Sequence, residues 1–274
     1  MMPRPDTFSY AVPGDPLLKR LLIQLIERMT GQPRLKRLYQ DYRTQDPSAD
    51  FWQEAVRRLR LTLDYDPGPL QSWPRHGPLV VVSNHPFGVV DGLVICHLVS
   101  CLRRDFRILT NAVLTKAEEI RGHLLPVDFG ESAEALRTNL KSRALARAHL
   151  AAGGCLIVFP AGGVSTTPSL WHRKAVDAEW KAFTARLILG AKAPVTPLYF
   201  AGQNSRLFQI ASHLHQTLRL SLLFKEVHDR MGSEIVMRPG PVIAFSEIAH
   251  LDPATLMAQL RERTYGLAGE DKQG

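Results

Sequence analysis

The feature that most constrains the fold is the segment at residues 79–92, L-V-V-V-S-N-H-P-F-G-V-V-D-G. Its unbroken run of valines is typical of a strand that is covered on both faces in an α/β protein. Pro86 ends the strand and Gly88 permits a tight turn. Asp91 stands where a helix N-cap belongs, just before the apolar run at 93–102. The segment therefore predicts a buried strand, a turn and a helix.

Strand-like and helix-like segments alternate along the rest of the chain. Strands are expected at residues 61–65, 79–83, 106–109, 124–127, 155–159, 195–200 and 234–238, the last at an edge of the sheet. Helices are expected at residues 115–120, 132–149, 177–191, 207–228 with a break near 213–216, and 253–263. This alternation predicts an α/β fold, with a mostly parallel mixed sheet that helices cover on both faces.

Two basic, amphipathic helices are predicted before the first strand. One begins at Pro16 and gathers leucines on one face, and the other begins at Pro33 and carries several arginines. Residues 1–46 are therefore expected to form a basic helical hairpin, which either lies on an anionic membrane surface or packs on the core. The predicted catalytic domain is 47–268, followed by a disordered tail at 269–274.

The formal net charge of +8 over 274 residues favours an anionic partner. Nucleic acid, an anionic membrane surface and an acidic carrier protein all fit that charge. Zinc-finger spacings, a P-loop and the motifs of single-strand binders are missing from the sequence, so nucleic acid is not expected.

Membrane spanning is not expected either. The start of the chain does not resemble a signal peptide, and no stretch of about 18 uncharged apolar residues occurs. Cys96, Cys101 and Cys155 lie in apolar segments without C-x-x-C spacing. They are predicted to be reduced core residues of a cytoplasmic protein.

One imidazole and one carboxylate are predicted to meet on the turn after the central strand. His85 and Asp91 in this setting match what a general base and its orienting partner need. The alternative is a satisfied core histidine beside an aspartate that only caps the helix.

The segment resembles the first motif of the glycerolipid acyltransferases, N-H followed by four residues and D. Here Asn84 and His85 match, and Asp91 lies one residue further on. The longer form, H-P-F-G-x-x-D-G, is similar to the branch that contains lyso-ornithine-lipid acyltransferases and proteins labelled hemolysins. Further matching segments lie at 158–165 (V-F-P-A-G-G-V-S), 177–181, 197–200 (P-L-Y-F) and 202–206 (G-Q-N-S-R), so the resemblance covers roughly residues 10–245.

This resemblance implies an enzyme that moves an acyl group from an acyl carrier protein or coenzyme A thioester to the hydroxyl of a lysolipid. His85 would be the general base and Asp91 its partner, with no metal and no redox cofactor. The expected location is cytoplasmic, peripheral on the inner face of the cell membrane. Two other classes stay open: a lipid hydrolase, although no G-x-S-x-G elbow occurs, and a non-catalytic membrane-binding protein of the hemolysin type.

The second motif of the family is commonly F-P-E-G-T-R-S. Val164 stands here in place of its arginine and Ala161 in place of its glutamate. A phosphate would lose its bidentate partner, which favours a lyso-ornithine-type acceptor over lysophosphatidic acid. Arg173, Lys174, Arg206 and Arg238 are candidates to replace the missing arginine.

The substrate-binding candidates come from the two turns and from a third turn after the strand at 195–200. They are Asn84, Gly88, Phe159, Pro160, Gly162, Gly163, Ser165, Asn204 and Arg206. Asn204 has the alternative of capping the next helix. His213 and His215 lack a third ligand at metal spacing, so no metal site is expected.

Overall fold

The computed structural model describes residue 14 and residues 16–29, 31–46, 49–111, 118–128, 132–214 and 216–269. The strands in this part of the chain are β1 (Thr62–Asp64), β2 (Leu79–Ser83), β3 (Phe106–Asn111), β4 (Leu124–Val127), β5 (Cys155–Val158), β6 (Val195–Phe200) and β7 (Glu234–Pro239). They form one sheet in the order β1-β7-β6-β2-β5-β3-β4. Neighbouring strands run parallel except β6 and β7, which are antiparallel. The predicted mixed, mostly parallel sheet is confirmed.

Helices cover both faces of this sheet. They are α1 (Leu17–Met29), α2 (Gln32–Gln45), α3 (Phe51–Arg58), α4 (Val89–Ser100), α5 (Ala133–Ala151), α6 (Ala182–Ala191), α7 (Arg206–Leu214), α8 (Gln216–Asp229), α9 (Phe245–Ile248) and α10 (Pro253–Gly266). Short 3₁₀ turns lie at Pro69–Ser72 and Glu118–His123.

The central strand β2 explains why the chain needs both helical layers. Val80 and Val82 pack on one face with α5, α6 and α10, whereas Val81 packs on the other face with α3 and α4. All five residues of β2 are buried. A continuous apolar run satisfies both layers at once, because successive side chains point to opposite faces.

Helix α4 begins at Val89, and Gly88 is its N-cap with φ +73°. The prediction that Asp91 is the N-cap is therefore wrong. Asp91 is the third residue of the helix, and its carboxylate accepts the backbone N–H of Gly88 at 3.0 Å. An acidic side chain here still satisfies free N–H groups of the first turn.

Two other predicted elements need correction. Helix α6 begins at Ala182 and not at residue 177, because the backbone N–H groups of Asp177 and Lys181 are bonded to Tyr265 and to the carbonyl of Pro160. Strand β7 is not at an edge, since β1 pairs with its outer side. Of the helix predicted at 115–120, residues 115–117 lie outside the described residues.

Cys96 and Cys155 are buried as predicted, but Cys101 is exposed. Cys101 is the C-cap of α4, where the helix reaches the surface. No disulfide joins these three thiols.

The two predicted N-terminal helices pack on the core, but one face of α1 is exposed to solvent. Ile23 of α1 is buried against α7 and α8, and Leu35 and Leu38 of α2 pack on the core. The other face of α1 exposes four leucines, Leu17, Leu18, Leu21 and Leu25. The division at residue 46 stays a prediction, and residues 270–274 of the predicted tail lie outside the described residues.

None of the helices among the described residues combines the length and the apolar character needed to cross a bilayer.

Gly240, just after β7, gives a test of how tightly β6 and β7 are joined. A methyl group added there would lie 2.7 Å from the Pro197 ring, and the Gly240 carbonyl accepts bonds from Trp73 and Thr196. We expect Gly240→Ala to lower the free energy of unfolding by about 1–3 kcal/mol, measured by urea denaturation.

The matched control is Gly190→Ala in α6, where no atom lies within 4 Å of the added methyl group. Alanine favours a helix over glycine by up to about 1 kcal/mol, so stability should be unchanged or higher. Equal stability of the two variants would contradict close packing at Gly240.

Candidate active site

The first predicted site segment lies at the carboxyl end of β2, in the middle of the sheet. The amide of Asn84 pairs with the backbone of Phe200: its Nδ2 donates to the carbonyl at 2.8 Å and its Oδ1 accepts the N–H at 2.7 Å. Asn84 thus joins the ends of β2 and β6, and both polar atoms of its side chain are occupied by this contact. The prediction that Asn84 binds substrate stays a prediction.

His85 and Asp91 meet on this turn as the sequence predicts. His85 Nδ1 lies 3.0 Å from Asp91 Oδ2, and the carboxylate is fully buried. His85 Nδ1 makes no hydrogen bond of normal geometry among the described residues, so its contact with Asp91 is electrostatic. The ring stacks on Phe159 at 3.8 Å between centroids, and 17% of the His85 side chain is exposed. Such contacts commonly tighten when substrate binds.

Burial raises the pKa of Asp91 above its ordinary value, and the His85 ring and two backbone N–H groups oppose this shift. Those N–H groups belong to Phe87 and Gly88 and lie 2.8 and 3.0 Å from Oδ2. Asp91 Oδ1 has no hydrogen-bond partner among the described residues. The carboxylate is therefore held rigidly on one oxygen, which fixes the side of the imidazole that it faces.

A second buried carboxylate, Asp177, holds the backbone of the same turn. Its Oδ1 accepts the N–H of His85 at 3.2 Å and the hydroxyl of Ser165, and its Oδ2 accepts the Trp180 indole at 2.9 Å. The N–H of Ser165 donates to the His85 carbonyl at 2.8 Å. Asp177 therefore connects the two motif turns through hydrogen bonds, and Ser165 takes part in these bonds.

The second motif forms a glycine turn directly against the first. Gly162 has φ +73°, and its N–H donates to the Phe159 carbonyl at 2.9 Å. Pro160 accepts the backbone N–H of Lys181 at 3.1 Å. Val164 packs against Gly88, where an added methyl group would lie 3.1 Å from it.

The third predicted turn contributes differently. Asn204 is buried, and neither polar atom of its side chain has a hydrogen-bond partner among the described residues. Arg206 donates to the carbonyls of Leu170 and His172. Arg238 lies 3.3 Å from Asp64 at the far edge of the sheet. Arg206 and Arg238 therefore make contacts away from the glycine turn and do not replace its missing arginine.

Of the two histidines considered as metal ligands, His213 is in contact with the Thr167 hydroxyl at 3.1 Å. His215 lies outside the described residues. The expectation of no metal stays a prediction.

An apolar cavity of about 140 Å³ lies behind the first turn of α4. Val89, Gly92 and Leu93 form its wall nearest to Asp91. The other walls come from the remaining helices of this face and from β3, through residues such as Leu38, Tyr39, Trp52, Ile108 and Phe224. The cavity therefore shares helix α4 with the histidine–aspartate pair.

Sequence reasoning missed two residues that the structure places at the two turns. Asp177 was assigned to a helix, although the segment that it opens was one of the matching segments. Arg219 of α8 donates from Nη2 to the carbonyl of Val164 at 2.6 Å. In the sequence it is one charge in an amphipathic helix, and only the tertiary fold brings it to the glycine turn.

The fold is thus a mostly parallel α/β sheet with a histidine and a buried aspartate at the end of its central strand. The family model described as Acyltransferase matches residues 39–261, and the chain belongs to this family. The resemblance to glycerolipid acyltransferases is thereby confirmed.

Two known proteins are similar to the chain. A lyso-glycine lipid O-acyltransferase of Phocaeicola vulgatus is 23% identical over 205 residues, which cover 73% of this chain and 68% of that protein. The crystal structure of PlsC, the 1-acyl-sn-glycerophosphate (LPA) acyltransferase from Thermotoga maritima, matches with a TM-score of 0.52 and 12% identity. That match covers 94% of this chain and 98% of PlsC, and it shows a shared fold.

The raised pKa of Asp91 predicts how Asp91→Asn alters stability with pH. The folded state holds the Asp91 proton more tightly than the unfolded chain does, so this contribution to stability is complete below about pH 3.9 and is lost as pH rises through the folded pKa. The amide carries no such charge. We expect the stability of Asp91→Asn relative to wild type to increase between about pH 4 and pH 8 in denaturation experiments.

Asp252→Asn is the matched control, because hydrogen bonds from Thr255 and from the backbone lower the pKa of Asp252. Its stabilising effect is complete above about pH 3.9 and is lost only as pH falls further, so between about pH 4 and pH 8 this variant should show no trend relative to wild type. The same trend in both variants would contradict the burial effect at Asp91.

Proposed function

We propose that this protein uses His85 as a general base to acylate the hydroxyl of a lysolipid that carries an amino-acid head group. Acyl transfer from an acyl thioester to a lysolipid follows from the family; the base and the head group are the proposal. The observation that carries it is the 3.0 Å contact between the partly exposed His85 ring and the buried Asp91 carboxylate. This geometry suits a base whose tautomer is fixed by its neighbour.

In this mechanism Nδ1 of His85 faces Asp91 and leaves Nε2 for the substrate. The acceptor hydroxyl loses its proton to Nε2 while its oxygen attacks the thioester carbonyl, which gives a tetrahedral oxyanion. Collapse of this intermediate breaks the C–S bond, and the leaving thiolate takes the proton from the imidazolium. The buried Asp91 carboxylate stabilises the imidazolium between these two steps.

The identity of the acceptor head group is supported by two observations. Val164 removes the arginine with which a second motif of this type would hold a phosphate. The relative from Phocaeicola vulgatus is named for lyso-glycine lipid, which, like the lyso-ornithine lipid that the first motif favours, has an amino-acid head group. We therefore favour glycine or ornithine lipids over lysophosphatidic acid.

The apolar cavity beside α4 supports a long-chain substrate. Its lining is almost entirely hydrocarbon, and Val89 and Leu93 lie on either side of Asp91 in sequence. A fatty chain gains about 0.8 kcal/mol for each methylene that it buries. We propose that this cavity receives the end of the acyl chain delivered by acyl carrier protein or coenzyme A.

The exposed leucines of α1 support work at an anionic membrane surface. Leu18 is 81% exposed, and Leu17, Leu21 and Leu25 lie on the same outer face. Arg34 and Arg37 of α2 are also exposed and add positive charge beside that face. Apolar side chains next to basic ones are the combination that binds the interface of anionic bilayers.

The catalytic test is kinetic. We expect His85→Ala to lower kcat by about 10²–10⁴-fold and Asp91→Asn by about 10²-fold, because a neutral amide cannot stabilise the imidazolium. Activity near wild type in both variants would contradict the histidine–aspartate pair.

The acceptor head group is tested with a panel of lysolipids. Purified wild-type protein would be given each lysolipid with each thioester donor, and products would be measured by mass spectrometry. Equal or faster use of lysophosphatidic acid would contradict the head-group assignment.

The membrane contact is tested with the double variant Leu18→Glu and Leu21→Glu. It should bind anionic vesicles more weakly in sedimentation assays, yet keep its kcat on lysolipid dispersed in detergent, because both side chains point to solvent. Leu136→Glu and Leu140→Glu, on exposed positions of α5, are the matched control. Equal vesicle binding by all three proteins would refute the assignment of this face.

A further inference from the structure

Two cations flank the glycine turn of the second motif, and neither comes from the position where the family carries its arginine. A methyl group added to Gly163 would lie 3.3 Å from Nη2 of Arg219, and one added to Gly162 would lie 3.3 Å from Nζ of Lys181. Both cations therefore lie directly against the backbone of the glycine turn, an approach that glycine permits because it has no side chain. Arg219 reaches the turn from α8, 55 residues further along the chain.

The charge of Arg219 is not neutralised within the described residues. Its contacts there are one hydrogen bond to the Val164 carbonyl at 2.6 Å and the Phe208 ring at 5.9 Å. Burial lowers the pKa of Arg219, and no carboxylate opposes that effect. A desolvated guanidinium without a counter-charge is costly, and four of its five N–H groups remain for a ligand.

This charge also lies close to the reacting groups. Val164, which Arg219 holds, is followed by Ser165, whose N–H is bonded to the His85 carbonyl at 2.8 Å. Arg219 is therefore connected to the histidine through two adjacent residues of the glycine turn.

We propose that Arg219, assisted by Lys181, forms the subsite for the head-group carboxylate of the acceptor lysolipid. This inference rests on the proposed function. A glycine or ornithine acylated on its α-amino group keeps a carboxylate only a few bonds from the hydroxyl that is acylated. The phosphates of a thioester donor, in contrast, lie at the far end of the pantetheine arm. A planar guanidinium that uses one N–H group on the Val164 carbonyl can still bind a carboxylate in two-point contact.

The test compares lyso-glycine lipid with its methyl ester, which lacks the negative charge. Wild type should show a kcat/KM ratio of acid to ester of roughly 10–150, as expected for one charge-assisted contact. Arg219→Gln should lower this ratio most, chiefly through the KM for the acid, and leave only the smaller contribution of Lys181. Arg219→Lys keeps the positive charge but loses the planar guanidinium, so it should give an intermediate ratio. Lys181→Gln should lower the ratio less, since Lys181 is exposed.

The matched control is Arg147→Gln, which removes one positive charge from the exposed face of α5. Its acid-to-ester ratio should equal that of wild type. Thermal unfolding of every variant separates loss of the contact from loss of the fold.

Binding without turnover keeps this test independent of the reaction. Acid and ester would be titrated, at fixed surface concentration in mixed micelles, into His85→Ala protein with and without Arg219→Gln. A higher affinity for the acid that disappears with Arg219→Gln supports the subsite even if wild type acylates neither lipid, in which case only the proposed reaction fails.

Several results would overturn the subsite. These are a wild-type acid-to-ester ratio near one, an equal loss of activity on acid and ester in Arg219→Gln, and a rise in the KM of the thioester donor in place of the acceptor. The acid-to-ester ratio of wild type needs no variant, so it tests the subsite even if Arg219→Gln fails to fold.

Discussion

Two buried carboxylates hold the turn after the central strand between them, and the rest of the site depends on this arrangement. Asp91 faces the His85 ring, while Asp177 accepts the backbone N–H of the same residue. Each carboxylate is buried, and each accepts hydrogen bonds from N–H or O–H donors. Such networks are rigid when complete, because every missing donor would leave a costly buried charge. The backbone of His85 is thus held by hydrogen bonds before any substrate arrives, while its ring lies next to Asp91 without a hydrogen bond.

At the second motif, an arginine from another helix binds the backbone of the turn, although the motif itself carries valine where relatives have arginine. The Val164 side chain packs against Gly88, and the Val164 carbonyl accepts a hydrogen bond from the guanidinium of Arg219. Helix α8 also supplies Glu226, whose carboxylate accepts both the N–H and the hydroxyl of Ser205 on the third turn. One helix therefore connects two of the three loops that surround the site, and a shift of α8 would move both.

The sequence was sufficient for the elements whose pattern is local. The valine run predicted β2 and its burial on both faces, and the H-x₅-D spacing brought His85 to Asp91. The role of Asp177 and the inner place of β7 were not predicted, because they depend on contacts between segments far apart in sequence. Periodicity shows which residues belong to one element, but it carries no information on which elements become neighbours.

The exposure of Cys101 at the end of α4 makes it a natural labelling site. The other two thiols are buried, and burial also raises the pKa of Cys101, so a maleimide should modify it selectively but slowly, and faster at mildly alkaline pH. The 12 residues of α4 separate this thiol from the start of the helix by about 18 Å. A label there would lie at the opposite end of α4 from Asp91 and the histidine turn.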